Sequence, residues 1–526
     1  MKYSIEDERL NGHKNSIIKE QSAILARNKA AEYCLKASNV KFEDIDMVVT
    51  NDIMNKVYFA RYSNKVITVS HHMSHAFSTF YTSPFVEAVV LVADRCGSTL
   101  GPSGMNIPSD NETITGYYSN VYHMREIHKV SGRITEDNNI CNSLGEFYRL
   151  VTEGLGFNFY EDFKVTDLSA YGTEKYVSKF YHFYSIDQKG NFVQDERQIN
   201  EMSRFINKTL TFSDENENLQ EKADLAYAAQ FHLERIVVCL CKYLYSITNN
   251  EKLCLAGGIF LNPKLNYKIV SETPFNDIYV FPAAGGSGLA LGSALYGFHY
   301  LKHNLPYKPS KLLFSPDLGL KYSREQITKE LEKHSSKLEY YELDDTAMVG
   351  KIVDLLMQGK IIGWFKEGSE IGPMSLGNRV ILADPRKEEI RTVINSFVKK
   401  REDFRSSACI VLDEKKNEYF SFHTSSEYMS YSFPVVESKR KVIPAVVQID
   451  GTARVQTVTK DFNQHLYMLL KEFYSRTGVP ALLSTSLNES NKPIVETPRD
   501  AVNCFLDLEI DFLVLDNYLI SKKVFA

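Results

Sequence analysis

Three histidines, His71, His72 and His75, fall within the stretch VITVSHHMSHAFSTFY. If that stretch is helical, His71 and His75 stand four residues apart on one face, a spacing suited to two imidazole ligands of one metal ion. The same spacing suits a pair of satisfied structural histidines, and both readings stay open on this pair alone. Asp94, nineteen residues after His75 and at the end of an apolar run, offers a third donor, an oxygen. A mixed nitrogen and oxygen set favours iron, manganese or zinc over a soft-metal site.

A second group of polar residues lies far along the chain. Lys399, Arg401 and Arg405 in KKREDFR form either a solvated helix face or an anion site, because several fixed cations close together hold phosphate. Ser484, Thr485, Ser486 and Asn488 follow an apolar run and read as a polar strand-end loop, structural or ligand-binding. The glycine turns Gly257-Gly258 and Gly285-Gly286-Ser287-Gly288 match neither the phosphate-loop nor the dinucleotide fingerprint. They are tight strand-to-helix turns, or turns that present backbone N–H groups to a phosphate or carbonyl.

Placing these groups falls to alternating strand-like and helix-like segments, the pattern of an α/β protein. Residues 87–93 (EAVVLVA) predict a buried strand that delivers Asp94 into a polar turn, where α/β sheets put their sites. Helical spacing runs over 221–248; the strand KLCLA then enters Gly257-Gly258, and IYVF at 278–281 leads through the second glycine turn into the helix LALGSALYGF. Pro306, Pro309 and Pro316 mark a linker at the start of 303–345, ahead of a charged helix, SREQITKELEKHSSK. Beyond it the pattern predicts a helix near 346–359, a strand at 360–365, a basic helix ending in 399–405, a long helix near 460–477 and an apolar strand within 478–488. That second half reads as a separate α/β domain.

A chain of 526 residues exceeds what one hydrophobic core usually supports, so two domains are expected. Lys and Arg number 61 against 66 Asp and Glu, and the net charge of -5 gives no global attraction to nucleic acid or anionic lipid. No apolar run reaches the roughly 20 residues of a membrane helix, and MKYSIEDERLNGHKN lacks the apolar core of a signal peptide, so a cytoplasmic location without membrane association is expected. The eight cysteines show no CxxC spacing, which indicates neither a zinc site nor a disulfide framework; most are expected to be small buried hydrophobes. Residue chemistry by itself reaches an α/β enzyme with candidate metal and phosphate sites.

Nine segments in this order resemble the NodU/CmcH carbamoyltransferases across nearly the whole chain. They are HHMSHAFSTFYTSPF (71–85), SLGEFYRLVTEGLGF (143–157), LCLAGGIFLNPKLNYKI (253–269), FPAAGGSGLALGSAL (281–295), SLGNRVILADPR (375–386), KKREDFR (399–405), IDGTARVQTV (449–458), GVPALLSTSLN (478–488) and KPIVETPRDAVNCF (492–505). The resemblance implies an N-terminal domain of the sugar kinase and actin type, akin to the threonylcarbamoyl-transferring enzymes, over 1–308, and a YrdC-like α/β domain over 309–526. It also implies a two-step reaction. The second domain makes carbamoyl adenylate from carbamoyl phosphate and ATP, with Mg2+ accompanying ATP; the first passes the carbamoyl group to an acceptor hydroxyl beside a divalent metal, iron first, with manganese or zinc as alternatives. Residue by residue, the resemblance assigns the metal to His71, His75 and Asp94, and the carbamoyl phosphate and adenylate to Lys399, Arg405, Ser486 and Asn488. Arg379 and Arg454 lie in the same motifs and are expected to contact phosphate or nucleotide.

The sequence departs from the family pattern at definite places. Met374 stands where the family's Gly-Pro-Arg-Ala-Leu-Gly loop has arginine, and Gly286 stands where a Gly-Asp turn supplies an aspartate metal ligand. Asp94-Arg95-Cys96-Gly97-Ser98 replaces Asp-Gly-x-Gly-Glu, and Gln448 replaces the histidine before Asp-Gly-Thr. The family's opening strand hairpin is expected to be missing ahead of IEDERLNGHK, through a late start codon or a trimmed variant. These departures motivate a rival reading, a catalytically impaired paralogue that serves as a binding or regulatory subunit. Acceptor contacts are expected in 100–140 and 173–222; the acceptor classes are sugars, natural-product precursors and nucleosides or nucleobases, DNA included, and the assembly is a monomer or homodimer.

Overall fold

The computed structural model describes residues 3–14, 29–54, 64–101, 110–211, 218–301, 313–422 and 424–523. The chain separates into two compact units, one running Ile45–Phe314 and the other joining the residues up to Asp44 to Ser315–Ala526. The junction expected at 308/309 lies outside the described residues. The leading residues side with the later part of the chain, for a reason visible in their polar contacts. Tyr33 donates to Glu496 Oε1 at 2.6 Å and accepts from the Leu320 amide at 2.6 Å, and the Ser4 amide donates to Leu318 O at 3.0 Å. Expected as the opening of the first domain, this segment is integral to the second unit. Both units mix strands and helices, as the α/β reading requires. No helix among the described residues is long and apolar enough to cross a membrane.

In the unit Ile45–Phe314 the sheet centres on the strand Glu87–Ala93, where Val89, Val90, Leu91 and Val92 are fully buried. Burial on both faces explains why this run is continuous rather than alternating. Lys252–Ala256 pairs with it in parallel, and Asp277–Val280 pairs in parallel with Lys252–Ala256. Three strands therefore end at one edge, and there the chain turns through Asp94, Gly257-Gly258 and Gly285-Gly286. Along the other side runs a long antiparallel hairpin, Asp110–Asn120 with Met124–Arg133, within the 100–140 stretch where acceptor contacts are expected. The helix His71–Phe80 follows a short parallel pair, Val48–Asn51 with Val66–Val69. It packs on the helix Leu289–Leu301 so closely that a methyl group on Gly292 would collide with Ser74 O.

The other unit holds a nine-stranded sheet in the order Leu338–Glu342, Tyr518–Lys522, Phe512–Leu515, Ile362–Phe365, Arg379–Ala383, Ala481–Ser486, Ala408–Leu412, Thr452–Val458, Tyr431–Pro434. The expected helices appear at Asp345–Met357 and Gln464–Thr477, each opened by a side-chain cap from Asp344 or Asn463. The helix expected to end within 399–405 does not. It stops at Val398 in a wide final turn, and Lys400 takes a positive φ of 49°. The charged run Lys399–Arg405 therefore leaves the helix as a loop, drawn off by the bonds of Lys399 described below. The charged segment after the linker is shorter than its pattern, a helix over Arg324–Lys333 followed by the edge strand Leu338–Glu342.

Candidate functional site

Ser70 caps the helix His71–Phe80 by accepting the Met73 amide at 3.4 Å, so His71 opens the first turn and His75 follows one turn later on the same face. Both face the end of the strand Glu87–Ala93. His71 Nε2 lies 3.3 Å and His75 Nε2 3.2 Å from the same oxygen, Asp94 Oδ2. One donor atom from each of the three residues falls within 4.8 Å of the others. The rings meet edge to face with centroids 4.8 Å apart; both histidines are buried and Asp94 is half-buried.

Burial pushes the His75 pKa below the ordinary histidine value. Burial pushes Asp94 up, but the hydrogen bonds from His71 and His75 outweigh it and hold the carboxyl well below the usual range. A neutral imidazole and an ionised carboxylate are the forms that bind metals. The donor set fits a divalent cation on chemical grounds too: with the ring protons on the Nδ1 atoms instead, both Nε2 lone pairs and the carboxylate oxygen converge on one point that a cation would fill. Both Nδ1 atoms are buried without a hydrogen-bond partner among the described residues.

The glycine turns complete this edge. Gly257 has φ of +103°, and a methyl group there would strike Ala93 O, which fixes glycine beside the residue before Asp94. Its amide donates to Ala284 O at 2.7 Å, bringing the second turn alongside the first. A Cβ on Gly258 would lie 3.4 Å from Asp94 Oδ1, and one on Gly285 3.9 Å from Gly258 Cα, whereas a Cβ on Gly286 would meet nothing within 4 Å. Among the described residues, the position that carries the family aspartate opens onto free space. These turns act by close approach here, and the phosphate-cradling alternative gains no support from their contacts.

Arg95 continues from Asp94 into an ion triad that spacing did not single out. Its Nε donates to Glu146 Oε2 at 2.5 Å, and Arg149 Nη2 donates to Glu146 Oε1 at 2.7 Å, with Glu146 fully buried. The sequence signal was the Ser143-x-x-Glu146 pattern at a helix start; Ser143 Oγ accepts the Glu146 amide at 3.1 Å and donates to Arg95 O at 2.8 Å. Ser98 binds the His71 amide at 2.8 Å and donates to Asp52 at 2.7 Å, seating the histidine helix.

In the other unit, Lys399, Ser486 and Asn488 come together. Lys399 Nζ donates to Ser486 O at 2.9 Å, Asn488 O at 2.6 Å and Asn488 Oδ1 at 2.7 Å, and Ser486 Oγ donates to Asn488 Oδ1 at 2.6 Å. Lys399 is 4% exposed and forms no ion pair among the described residues. Burial, with Arg401, Lys14 and Arg405 nearby, holds its pKa well below the ordinary lysine value. A cation in this setting gains from any phosphate that reaches it. Arg405 lies close enough to act on Lys399 through its field, and its carbonyl accepts from Asn395 Nδ2 at 2.9 Å.

The two remaining arginines differ. Arg379 turns inward, fully buried over the Phe365 ring, with Nη1 on Lys366 O and Asn378 O and Nη2 on Glu367 O. Among the described residues only Nε lacks a partner, and the bonds of the other guanidinium nitrogens to backbone carbonyls brace the strand entry. Arg454 reaches the loop 371–378: its Nη2 lies 3.1 Å from Met374 Sδ, setting a guanidinium beside the place where the family has one. Gln448 closes a turn through its backbone, accepting the Gly451 amide at 2.9 Å, while its Oε1 is buried without a partner among the described residues. Of the eight cysteines, all free thiols, five are buried and Cys34, Cys96 and Cys239 are half-buried.

Two family models match the chain. Residues 8–295 match the family model described as the carbamoyltransferase N-terminus, and residues 353–522 match the carbamoyltransferase C-terminus. The chain is 32% identical to the nodulation protein NolNO of Sinorhizobium fredii, over 99% of this chain and 77% of that protein. It is 34% identical to the nodulation protein NolO of Bradyrhizobium diazoefficiens, over 86% of this chain and 79% of that one. A solved structure of full-length HypF, in its phosphate- and nucleotide-bound form, overlaps 53% of this chain and 51% of its own at a TM-score of 0.39 and 16% identity, too partial a likeness to carry an argument.

Proposed function

The chain belongs to the carbamoyltransferase family, and on that premise we propose that it is an ATP-dependent O-carbamoyltransferase working through carbamoyl adenylate. The observation that carries the reading is the buried ammonium of Lys399, which gathers Ser486 and Asn488 from 87 and 89 residues away and forms no ion pair among the described residues. A buried cation with only neutral partners suits an anionic substrate, and phosphoryl and nucleotidyl transfer rest on such charge neutralisation and positioning.

Atom balance fixes the first step. Carbamoyl phosphate gives its phosphate to water as inorganic phosphate, leaving carbamate; a carbamate oxygen attacks the α-phosphorus of ATP, and pyrophosphate leaves. Lys399 and Arg405 neutralise the charge gathering on these groups, while Ser486 and Asn488 hold the Lys399 side chain in place. Arg454, at Met374, takes the guanidinium place in the 371–378 loop. In the second step the acceptor hydroxyl attacks the carbamoyl carbon, its proton passes to solvent, and AMP leaves. A divalent cation held by His71, His75 and Asp94 would supply Lewis-acid polarisation of the carbamoyl carbonyl there. Asp94 stays ionised between its two imidazoles, and the Gly257-Gly258 turn leaves its exposed side clear for an incoming group. The acceptor is a small hydroxyl compound of the sugar, nucleoside or natural-product class.

The test is product formation by the purified chain given ATP, Mg2+ and carbamoyl phosphate. Pyrophosphate and inorganic phosphate are expected in equal amounts. Silence with added iron or manganese and a panel of hydroxyl acceptors present favours the rival reading of an impaired paralogue, for which Gly286 and Met374 are the motivating residues.

A further inference from the structure

The residues before Asp44 carry contacts that the proposed reaction does not yet use. Glu6 and Arg9 form an ion pair, Arg9 Nε to Glu6 Oε2 at 2.9 Å, with Arg9 buried and Glu6 mostly so. The pair grips one peptide on both sides. Glu6 Oε1 accepts the Gly372 amide at 2.6 Å, and Arg9 Nη2 donates to Gly372 O at 2.8 Å. Gly372 sits at φ of +101°, at the start of the loop that carries Met374 and the Arg454 contact.

The far end of that loop is also held: Glu370 Oε1 accepts the Leu376 and Asn378 amides at 2.8 and 2.6 Å, and Gln456 donates to Leu376 O at 2.7 Å. The loop then enters the strand at Arg379, whose carbonyl accepts the Leu487 amide at 3.0 Å, one residue from Ser486. Farther along the leading segment, Lys14 Nζ donates to Ser490 O at 3.1 Å, and Ser490 Oγ donates to the carbonyl of Lys399 itself. Residues 4–14 thus run as a strap from Gly372, at the start of the 371–378 loop, to Ser490, beside the carbonyl of Lys399.

We propose that Glu6 and Arg9 are positioning residues for the adenylate-forming step, setting the 371–378 loop through the Gly372 peptide. The inference rests on the reading that this unit makes carbamoyl adenylate. A buried, charged clamp on a single glycine peptide fixes loop geometry, because hydrogen bonds to charged groups are the strong ones. The clamp touches no reacting atom, so its loss acts on substrate binding.

The experiment compares wild type with Arg9→Ala, Arg9→Lys and Glu6→Gln in the full chain. Pyrophosphate release gives KM for each substrate and kcat, and amide hydrogen exchange reports the loop. Arg9→Ala is expected to raise KM for ATP or carbamoyl phosphate by about tenfold or more, with kcat within about threefold, and to speed exchange over 371–378. Arg9→Lys, which keeps the charge, should recover part of the KM. Faster loop exchange with unchanged KM overturns the proposal, as does global unfolding of both Arg9→Ala and Glu6→Gln, which assigns the pair to stability alone. A wild type that releases no pyrophosphate removes the underlying reading, whatever the loop exchange shows.

Discussion

Lys399 Nζ bonds Asn488 twice, to its backbone oxygen at 2.6 Å and its side-chain oxygen at 2.7 Å, so one ammonium is locked to one residue across 89 positions of sequence. This geometry makes Lys399→Ala more than the loss of a charge, because the strand-end loop loses its anchor as well. Pyrophosphate release is expected to fall on the order of a hundredfold, the usual effect of removing one charge-stabilising group. Lys399→Arg should not rescue it, since a planar guanidinium cannot reproduce the three tetrahedrally spaced bonds. Steady-state kinetics on folded variants checks both outcomes.

The depressed pKa of Lys399 carries a pH signature with a definite sign. Burial lowers the folded value below that of the unfolded chain. Between the two values the unfolded chain holds more protons, so this group's destabilising contribution is present at low pH and is relieved as pH rises through that window. Affinity for phosphate runs the other way and falls with rising pH as the cation is lost. Calorimetric titration with inorganic phosphate across pH should show that fall in wild type and lose it in Lys399→Met; affinity rising with pH would contradict the assignment.

Three protein donors at His71, His75 and Asp94 leave more positions to water or substrate than four, so metal affinity is expected to be weaker than where a fourth ligand is kept. The space at Gly286 allows a direct test: Gly286→Asp should raise the metal content after purification with iron or manganese. The double variant His71→Ala, His75→Ala should abolish it. Metal content unchanged in the double variant would sink the site.

Two glycines at this edge should respond oppositely to one methyl group. Gly257→Ala meets both a positive φ and the Ala93 carbonyl, and is expected to cost about 2 kcal/mol or more of stability. Gly286→Ala meets open space, and its cost should be a few tenths of a kcal/mol at most. Denaturant unfolding of the two variants beside wild type measures the difference.

Much of this was legible in sequence where the pattern is local. The strand 87–93 follows from a continuous apolar run, and the four-residue spacing of His71 and His75 becomes one face because the stretch folds as the helix His71–Phe80, so the structure brings His71, His75 and Asp94 together. Lys399, Ser486 and Asn488 were also picked out, by motif, although no spacing rule joins residues 87 or more apart. What sequence could not give is the direction of a long side chain. Arg379 looks like any strand-edge arginine, yet backbone carbonyls of Lys366, Glu367 and Asn378 draw it inward. Nor does a charged run disclose that Lys400 turns through positive φ and ends the helix early. The placement of Glu6 and Arg9 on Gly372, 366 and 363 residues away, is a tertiary fact with no local trace.

The central claim is a division of labour, with the adenylate made beside Lys399 and consumed beside His75, and one pair of variants tests it most directly. His75→Ala and Lys399→Ala, both shown to be folded, are assayed for pyrophosphate release from ATP and carbamoyl phosphate and for carbamoylation of an acceptor. The account predicts that Lys399→Ala loses both activities, whereas His75→Ala keeps pyrophosphate release and loses only acceptor carbamoylation. Loss of pyrophosphate release in His75→Ala as complete as in Lys399→Ala would contradict it.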